Sequence, residues 1–332
     1  MKAAIFDRFG VPEEVLQVRE VPLPEPGRNQ VRLRMLASPI NPSDLMTVRG
    51  EYGSRPTLPA TPGFEGVGVV DKSGGGLLPL LRRLKPGRRV AFSSTAGGAW
   101  AEFAIVSARQ LVPVPDDIPD EQAASFFVNP ASALVMTQYV LKVPPGEWLL
   151  QTAAGSALGR MVIRLGKHFG FRTINVVRRR EQAEELSRAG ADAVICTADE
   201  SIPQRARALT EGRGVKYAID PVGGETGSAV IEALGAGGRL LIYGTLSREP
   251  IAIDPRLLIV GSKRVEGFWL SEWVREQRVL KMLRLSRTIR DLMRAGILTS
   301  EVGATFPLDE VQKAVAQAAQ AGRSGKVQLR LG

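Results

Sequence analysis

Up to about residue 120, apolar and polar positions alternate in short runs. Residues 2–9 (KAAIFDRF), 30–38 (QVRLRMLAS), 66–72 (GVGVVDK), 88–94 (RRVAFSS) and 101–107 (AEFAIVS) each read as a short strand. Turn signals such as LPEPGRN (23–29) and LKPGRR (84–89) separate them. A β-rich, barrel-like domain is expected. The stretch SGGGLLPLLRRLKPG (73–87) reads as a loop or short insertion.

The pattern then changes. Residues 120–141 read as helical, and from residue 147 strand and helix patterns alternate: EWLLQTA, LGRMVIRLGKHFG, RTINVV, REQAEELSRAG, DAVICT, SIPQRARALTEG, YAIDPVG, GSAVIEALGAGG, RLLIYG and, as a sixth strand, RVEGFW. Such alternation predicts an α/β fold with a doubly wound parallel sheet and helices on both faces. The tail reads as a basic helix, a strand, an Ala-rich helix with Asp309 near its start, a Gly-rich turn and a last strand.

Composition narrows the chemistry. The 332 residues hold one cysteine, Cys196, and one histidine, His168, which leaves no disulfide framework and no Cys/His zinc cluster. Cys196 lies in an apolar strand pattern and reads as a buried structural thiol. His168 closes a helical segment and reads as a capping or solvated residue. No apolar run reaches the about 18 residues that a transmembrane helix needs. The N-terminus passes almost directly into a strand pattern, so neither a signal nor a transit peptide is read and a cytoplasmic location is expected. The formal net charge of +10 fits anionic partners. No nucleic-acid motif accompanies it. Arg275, Arg278, Lys281, Arg284, Arg287, Arg290 and Arg294 recur mostly every third residue, either as a solvated helix face or as an attractor of a phosphate-bearing substrate or acidic carrier protein.

Two segments point to a nucleotide. QTAAGSALGR (151–160) joins a strand to a helix with small residues, as needed where a backbone approaches a pyrophosphate at a helix N-terminus. In the G-x-G-x-x-G register it carries Ala154, Ser156 and Gly159. About twenty residues on, where an acid would grip a ribose diol, the strand RTINVV ends in Arg178, Arg179 and Arg180. An acid there repels the 2′-phosphate of NADP, whereas arginine bonds phosphate oxygens in pairs. NADPH is therefore the expected cofactor, with Arg178 and Arg180 as the clamps.

INPSD (40–44), GEYG (50–53), GFEGVG (63–68), VNPASA (128–133), RTINVVR, YGTLS (243–247), GFWLSEW (267–273) and SGKVQL (324–329) together resemble the medium-chain dehydrogenase/reductase superfamily. Within it they are most similar to the mitochondrial-type trans-2-enoyl-thioester reductases, in order along nearly the whole chain. The resemblance implies a GroES-like catalytic domain over residues 1–122, a Rossmann domain over 123–267, a segment 268–332 returning to the catalytic domain, and a homodimer. It implies a zinc-independent branch, with Asn41 and Phe64 where the zinc enzymes carry metal ligands. It makes Tyr52 the proton donor, and it assigns cofactor contacts to Asn129, to Ser156, Ala157, Leu158 and Gly159, and to the three arginines. Further cofactor contacts fall on Tyr243, Gly244, Thr245 and Leu246, on Phe268, Trp269 and Leu270, and on Lys326. Two departures stand out: Arg179 replaces an acid common in the family, and Ala157 replaces a glycine.

The implied reaction is NADPH-dependent reduction of the C=C bond of a 2-enoyl thioester. Asn41 either orients the substrate or Tyr52, or caps its own Asn-Pro turn. Phe268, Trp269 and Trp273 line an acyl pocket or pack at a dimer interface. Lys326 has a solvated surface position as its simpler reading, and Glu65 reads as a structural carboxylate. The alternatives are a zinc-independent NADPH:quinone oxidoreductase, which needs no proton donor to carbon, and a non-catalytic NADPH-binding protein.

Overall fold

The computed structural model describes every residue except Ala321, Arg323 and Ser324; Ser324 of the SGKVQL motif thus lies outside the described residues. The first seven strands are β1 (Lys2–Ile5), β2 (Gln17–Glu20), β3 (Gln30–Pro39), β4 (Glu65–Ser73), β5 (Arg89–Ser93), β6 (Phe103–Ser107) and β7 (Leu111–Pro113). Six follow in alternation with helices: β8 (Trp148–Gln151), β9 (Arg172–Val177), β10 (Ala193–Cys196), β11 (Val215–Asp220), β12 (Leu234–Ile242) and β13 (Arg264–Gly267). The tail adds β14 (Val302–Pro307) and β15 (Lys326–Arg330).

The chain divides into two compact units, one made of Met1–Asn129 with Thr299–Gly332, the other of Pro130–Leu298. In the first, β1 pairs with β2, and a seven-stranded sheet runs β14-β15-β3-β4-β5-β7 with β6 also on β3. Ten-residue β3 anchors this sheet: its inward positions Val31, Leu33 and Met35 are fully buried, and different stretches of it pair with β4, β6 and β15. Phe6, Trp100, Leu111 and the helix Val311–Ala319 complete the core through Val311, Ala314, Val315 and Ala318. Gly63 is fixed by this packing: it has φ +97°, and a Cβ there would lie 2.4 Å from the Trp100 ring.

The second unit holds a six-stranded sheet in the order β10-β9-β8-β11-β12-β13, every pair parallel. Starting the count at β8 gives 3-2-1-4-5-6, the doubly wound order in which the strand sequence reverses between β8 and β11. Both faces are covered. Ile174 and Val176 of β9 pack with Ile202, Ala206, Val230 and Ile231 of two helices, while the alternate residue Val177 packs with Ile163 and Leu186 of two others.

Three elements differ from the sequence pattern. Residues 120–141 form not one helix but Asp120–Ala123, then Val128–Leu134 running into a π-helical stretch Val135–Val140. The break falls where the N–H groups of Phe127 and Val128 turn to the Glu65 carboxylate. The insertion at 73–87 contains a short helix, Leu77–Leu81, with Leu77, Leu80 and Leu81 exposed. The chain returns to the first unit at Thr299 rather than 268, and leaves it after Asn129 rather than 122. The basic helix Val279–Arg294 accounts for the later return: it buries Leu285, Ile289, Leu292 and Met293, and the Ile297 carbonyl just after it accepts from Arg164 of the second unit. Its cations Arg284, Arg287 and Arg294 are exposed.

Candidate active site

Because all six strands of the second unit are parallel, their carboxyl ends share one edge of the sheet. Most of the candidate cofactor residues scattered along the sequence follow these strand ends, whereas Asn129 and Lys326 belong to the first unit. Ser156–Gly159 follow β8, the arginines follow β9, Tyr243–Leu246 follow β12 and Phe268–Leu270 follow β13. In open sheets of this kind ligands bind outside the carboxyl ends, at the strand-order reversal.

The turn after β8 is tight. Ser156 caps the helix Ala157–Phe169, its Oγ accepting the Gly159 N–H at 3.1 Å. A Cβ on Gly159 would come within 2.4 Å of the Ala154 carbonyl oxygen, so only glycine lets this helix start so close to the strand. Ala153 takes φ +49°. Beneath the turn, Gln151 Nε2 donates to the Gly159 carbonyl at 2.9 Å and to Asn175 Oδ1 at 2.7 Å, which ties the turn to β9. This fits a pyrophosphate cradle. The Ser156 oxygen accepts in the cap, which leaves its O–H able to donate to a ligand, whereas its N–H is bonded to the Ala153 carbonyl at 2.9 Å.

The three arginines are not alike. All are exposed, but Arg180 is paired with Asp199, which raises the pKa of the arginine and lowers that of the acid. Among the described residues Arg178 and Arg179 have no ion-pair partner. Of the expected clamp pair, Arg180 is engaged with Asp199, three residues beyond β10, while Arg178 is not.

Asp220 was not singled out by sequence. It is fully buried at the end of β11, beside the strand-order reversal. Its carboxylate accepts from the Thr152 hydroxyl and from the Val222 and Gly223 N–H groups at 3.0 and 2.8 Å. The DPVGG segment, a strand end followed by paired glycines, was its only sequence signal. The 243–246 segment is zipped to the same loop: Tyr243 N–H donates to the Asp220 carbonyl and Leu246 N–H to that of Pro221. Burial, then the Asp220 charge, raises the Tyr243 hydroxyl above its ordinary value and keeps it protonated. Phe268 N–H donates to the Ile242 carbonyl. Trp273 packs edge-on to Tyr139 under the Lys281 ammonium, so it is spent on packing inside this unit.

In the first unit, Tyr52 is half-buried, with its ring 5.2 Å from that of Phe64. Phe64 also borders a cavity of about 440 Å³ lined by Thr47, Arg55, Thr57 and Thr95 among others. Behind Phe64 lies a buried polar cluster. Asn41 Oδ1 accepts from Lys326 Nζ, and Asn41 Nδ2 donates to Glu65 Oε1 at 3.0 Å. Asp44 accepts from the Asn41 and Phe64 N–H groups at 2.7 and 2.9 Å. Burial pushes Asp44 up to about 7 against the lowering effect of those two backbone bonds. Burial also raises Glu65, opposed first by the Lys326 charge. Two readings change. Lys326 is not a solvated lysine, since β15 turns it inward to 4% exposure onto Asn41. Asn41 is 2% exposed, with its carboxamide held by Lys326 and Glu65, which fits a part in the scaffold.

A zinc ion does not fit this cluster. The Lys326 ammonium occupies Asn41 Oδ1, and both carboxylates are bonded to backbone N–H groups. Among the described residues no three His, Cys, Asp or Glu side chains are grouped to hold a metal, and no helix is long and apolar enough to cross a membrane.

A doubly wound parallel sheet with a small-residue turn, alongside a β-rich unit completed by the chain's tail, defines a two-domain nicotinamide-dependent oxidoreductase. Residues 27–116 match the model of the alcohol dehydrogenase GroES-like domain, and residues 157–286 that of the zinc-binding dehydrogenases. Human mitochondrial enoyl-[acyl-carrier-protein] reductase is 33% identical over 319 residues, covering 95% of this chain and 84% of that protein. Its Caenorhabditis elegans counterpart is 32% identical, covering 98% and 94%. Among solved structures, a putative NADPH:quinone reductase from Bacillus thuringiensis superposes with a TM-score of 0.91 at 34% identity, covering 99% of this chain and 98% of that one. Escherichia coli quinone oxidoreductase complexed with NADPH gives 0.90 at 25% identity, covering 99% and 100%. The chain belongs to the medium-chain dehydrogenase/reductase superfamily.

Proposed function

We propose that this protein reduces the C=C bond of a 2-enoyl thioester with NADPH. The observation that carries the reading is Tyr52, the only tyrosine of the first unit, half-buried in a loop with its ring on Phe64. Other proton donors are poorly placed. His168 is exposed at a helix end, and Cys196 is buried in β10. Asp44 has a suitable pKa, but it is fully buried with its oxygens bonded to backbone N–H groups.

NADPH supplies the hydride, which goes to Cβ of the substrate. The electron pair of the C=C bond moves onto the thioester as an enolate, and Tyr52 returns a proton to Cα. A positioned acid contributes about 10²–10⁴-fold to such a step. Arg178 and Arg179 are proposed to hold the 2′-phosphate. The turn at Ser156–Gly159 is proposed to hold the pyrophosphate by the Ala157 and Leu158 N–H groups and the Ser156 hydroxyl, with Gly159 giving the close approach. Asn129, Tyr243–Leu246 and Phe268–Leu270 are proposed to border the nicotinamide half. For Lys326, a cofactor contact is compatible with the bond to Asn41, because an ammonium has three donors. The cationic face of residues 275–294 supports an anionic carrier, coenzyme A or an acidic acyl carrier protein. Homodimer formation is supported by the family and by edge strand β13, near which Ile259 and Val260 are exposed.

The likeness to quinone reductases favours a second reading, reduction of a quinone without a protein acid. NADPH oxidation at 340 nm separates them, using trans-2-hexenoyl-CoA and 1,4-benzoquinone with the parent and Tyr52→Phe. The proposal expects enoyl turnover that the substitution abolishes, with NADPH binding intact. Quinone turnover alone, indifferent to the substitution, overturns it.

A further inference from the structure

We infer that Glu65 is a positioning residue for the cofactor site: it grips the main chain just before Asn129 and so fixes where that side chain stands. The inference rests on the proposed contact between Asn129 and the nicotinamide cofactor.

The first N–H groups of a helix have no acceptor within the helix and are ordinarily met by a Ser, Thr, Asp or Asn at the cap. The helix Val128–Leu134 begins after Phe127, which has nothing to offer. Glu65 meets the need instead. Its Oε2 accepts from Phe127 N–H at 3.3 Å and from Val128 N–H at 2.8 Å. The acceptor thus comes from a strand more than sixty residues earlier in the chain, and Asn129 is the very next residue.

The carboxylate is itself held. Glu65 is 1% exposed in β4, where its backbone pairs with Ser93 of β5 and its carbonyl accepts from the Ser38 hydroxyl at 2.6 Å. Oε1 is bonded by Asn41 Nδ2, Asn41 Oδ1 by Lys326, and the Asn41 N–H by Asp44. Asp44 and Lys326 are the charged groups of this cluster. A buried carboxylate is costly unless it is paired and hydrogen-bonded, and this one has both supports. Its bonding capacity is directed at one short piece of main chain.

The test is a double-mutant cycle on Glu65 and Asn129. NADPH dissociation constants are measured by fluorescence for the parent, Glu65→Gln, Glu65→Asp, Asn129→Ala and the Glu65→Gln/Asn129→Ala double variant, with KM for the acceptor and melting temperature in parallel. The expected result is about tenfold weaker NADPH binding in each single variant, a double variant no weaker than the singles, and an unchanged acceptor KM. Glu65→Asp should not rescue, since it keeps the charge but falls one methylene short of the two N–H groups. Additive losses, parental affinity in Glu65→Gln, rescue by Glu65→Asp, or a rise in the acceptor KM that matches the rise in the NADPH dissociation constant, with a lowered melting temperature, would each overturn the inference. Parental affinity in Asn129→Ala would remove the Asn129 contact and the inference with it. A protein that binds NADH and not NADPH contradicts only the proposed cofactor, and the same cycle then runs with NADH.

Discussion

Arg180 Nε lies 2.9 Å from Asp199 Oδ2, and its second guanidinium nitrogen reaches the other carboxylate oxygen. The pair engages one of the three arginines after β9 and leaves Arg178 and Arg179 exposed beside it.

Arg178→Ala and Arg179→Ala should each weaken NADPH binding, by about 10-fold or more if a charge-assisted hydrogen bond of about 1.5–3 kcal/mol is lost. NADH binding should hardly change. Arg180→Ala should have a smaller effect on NADPH than either. Titration of each variant with both dinucleotides checks this ordering, and equal losses for both would show that these arginines do not read the 2′-phosphate.

Gly159→Ala should abolish dinucleotide binding and destabilise the second unit by about 1–3 kcal/mol, because the new methyl meets a backbone carbonyl that cannot move aside. Ser156→Ala should cost about 1 kcal/mol through the lost cap while leaving the turn's backbone in place. Urea unfolding together with cofactor titration distinguishes the two. If Gly159→Ala binds normally, the helix start must be free to shift.

Asp44 sets a pH dependence whose sign is opposite to that of most carboxylates. Its folded value, about 7, lies above its ordinary 3.8, so the folded state holds a proton there that the unfolded chain has released. The contribution is full below about pH 4, falls as pH rises toward 7, and is level above. The surface acids Asp7, Glu25, Asp199 and Glu266 have lowered values and act the other way, at the acid end of the range. Unfolding free energies between pH 4 and 8 for the parent and Asp44→Asn should differ in slope across this window. Identical slopes would mean that Asp44 stays ionised in the fold.

Lys326→Met should destabilise the first unit, since it removes the cation that bonds Asn41 and offsets the buried charge of Glu65. Breaking one partner of such a buried set costs about 3–5 kcal/mol. Thermal and urea unfolding measure it, and a change within error would indicate that water replaces the ammonium.

The sequence announced the second unit more fully than the first. A parallel strand buried on both faces leaves a compact apolar run, and RTINVV, WLLQ and YAID are of that kind. The glycine turn was legible because Gly159 is required by a close backbone approach. What the arginine run did not disclose was which member is engaged, since Asp199 belongs to another strand end. The Asn41–Glu65–Lys326 cluster was hidden for the same reason. Its members come from a helix cap, a strand and the chain's tail, and neither spacing nor periodicity relates them. Lys326 in particular reads as a surface residue until β15 is placed against β3. Asp220 escaped notice because a single acid before a Pro and two Gly is indistinguishable, by pattern, from an ordinary turn.

The tail strands have a consequence for the order of events during synthesis. Residues 130–298 build their unit from one continuous stretch, which is complete before residues 299–332 have been made. The first unit, begun earlier, must wait. Until β15 arrives, the stretch Ala37, Ser38 and Pro39 of β3 has no neighbour on that side, and Asn41 lacks its ammonium donor. An open strand edge invites pairing with other chains. The nascent protein therefore passes through a stage in which the unit of residues 130–298 is made while the first unit is still exposed, and β15, translated after residues 130–298, is what closes it.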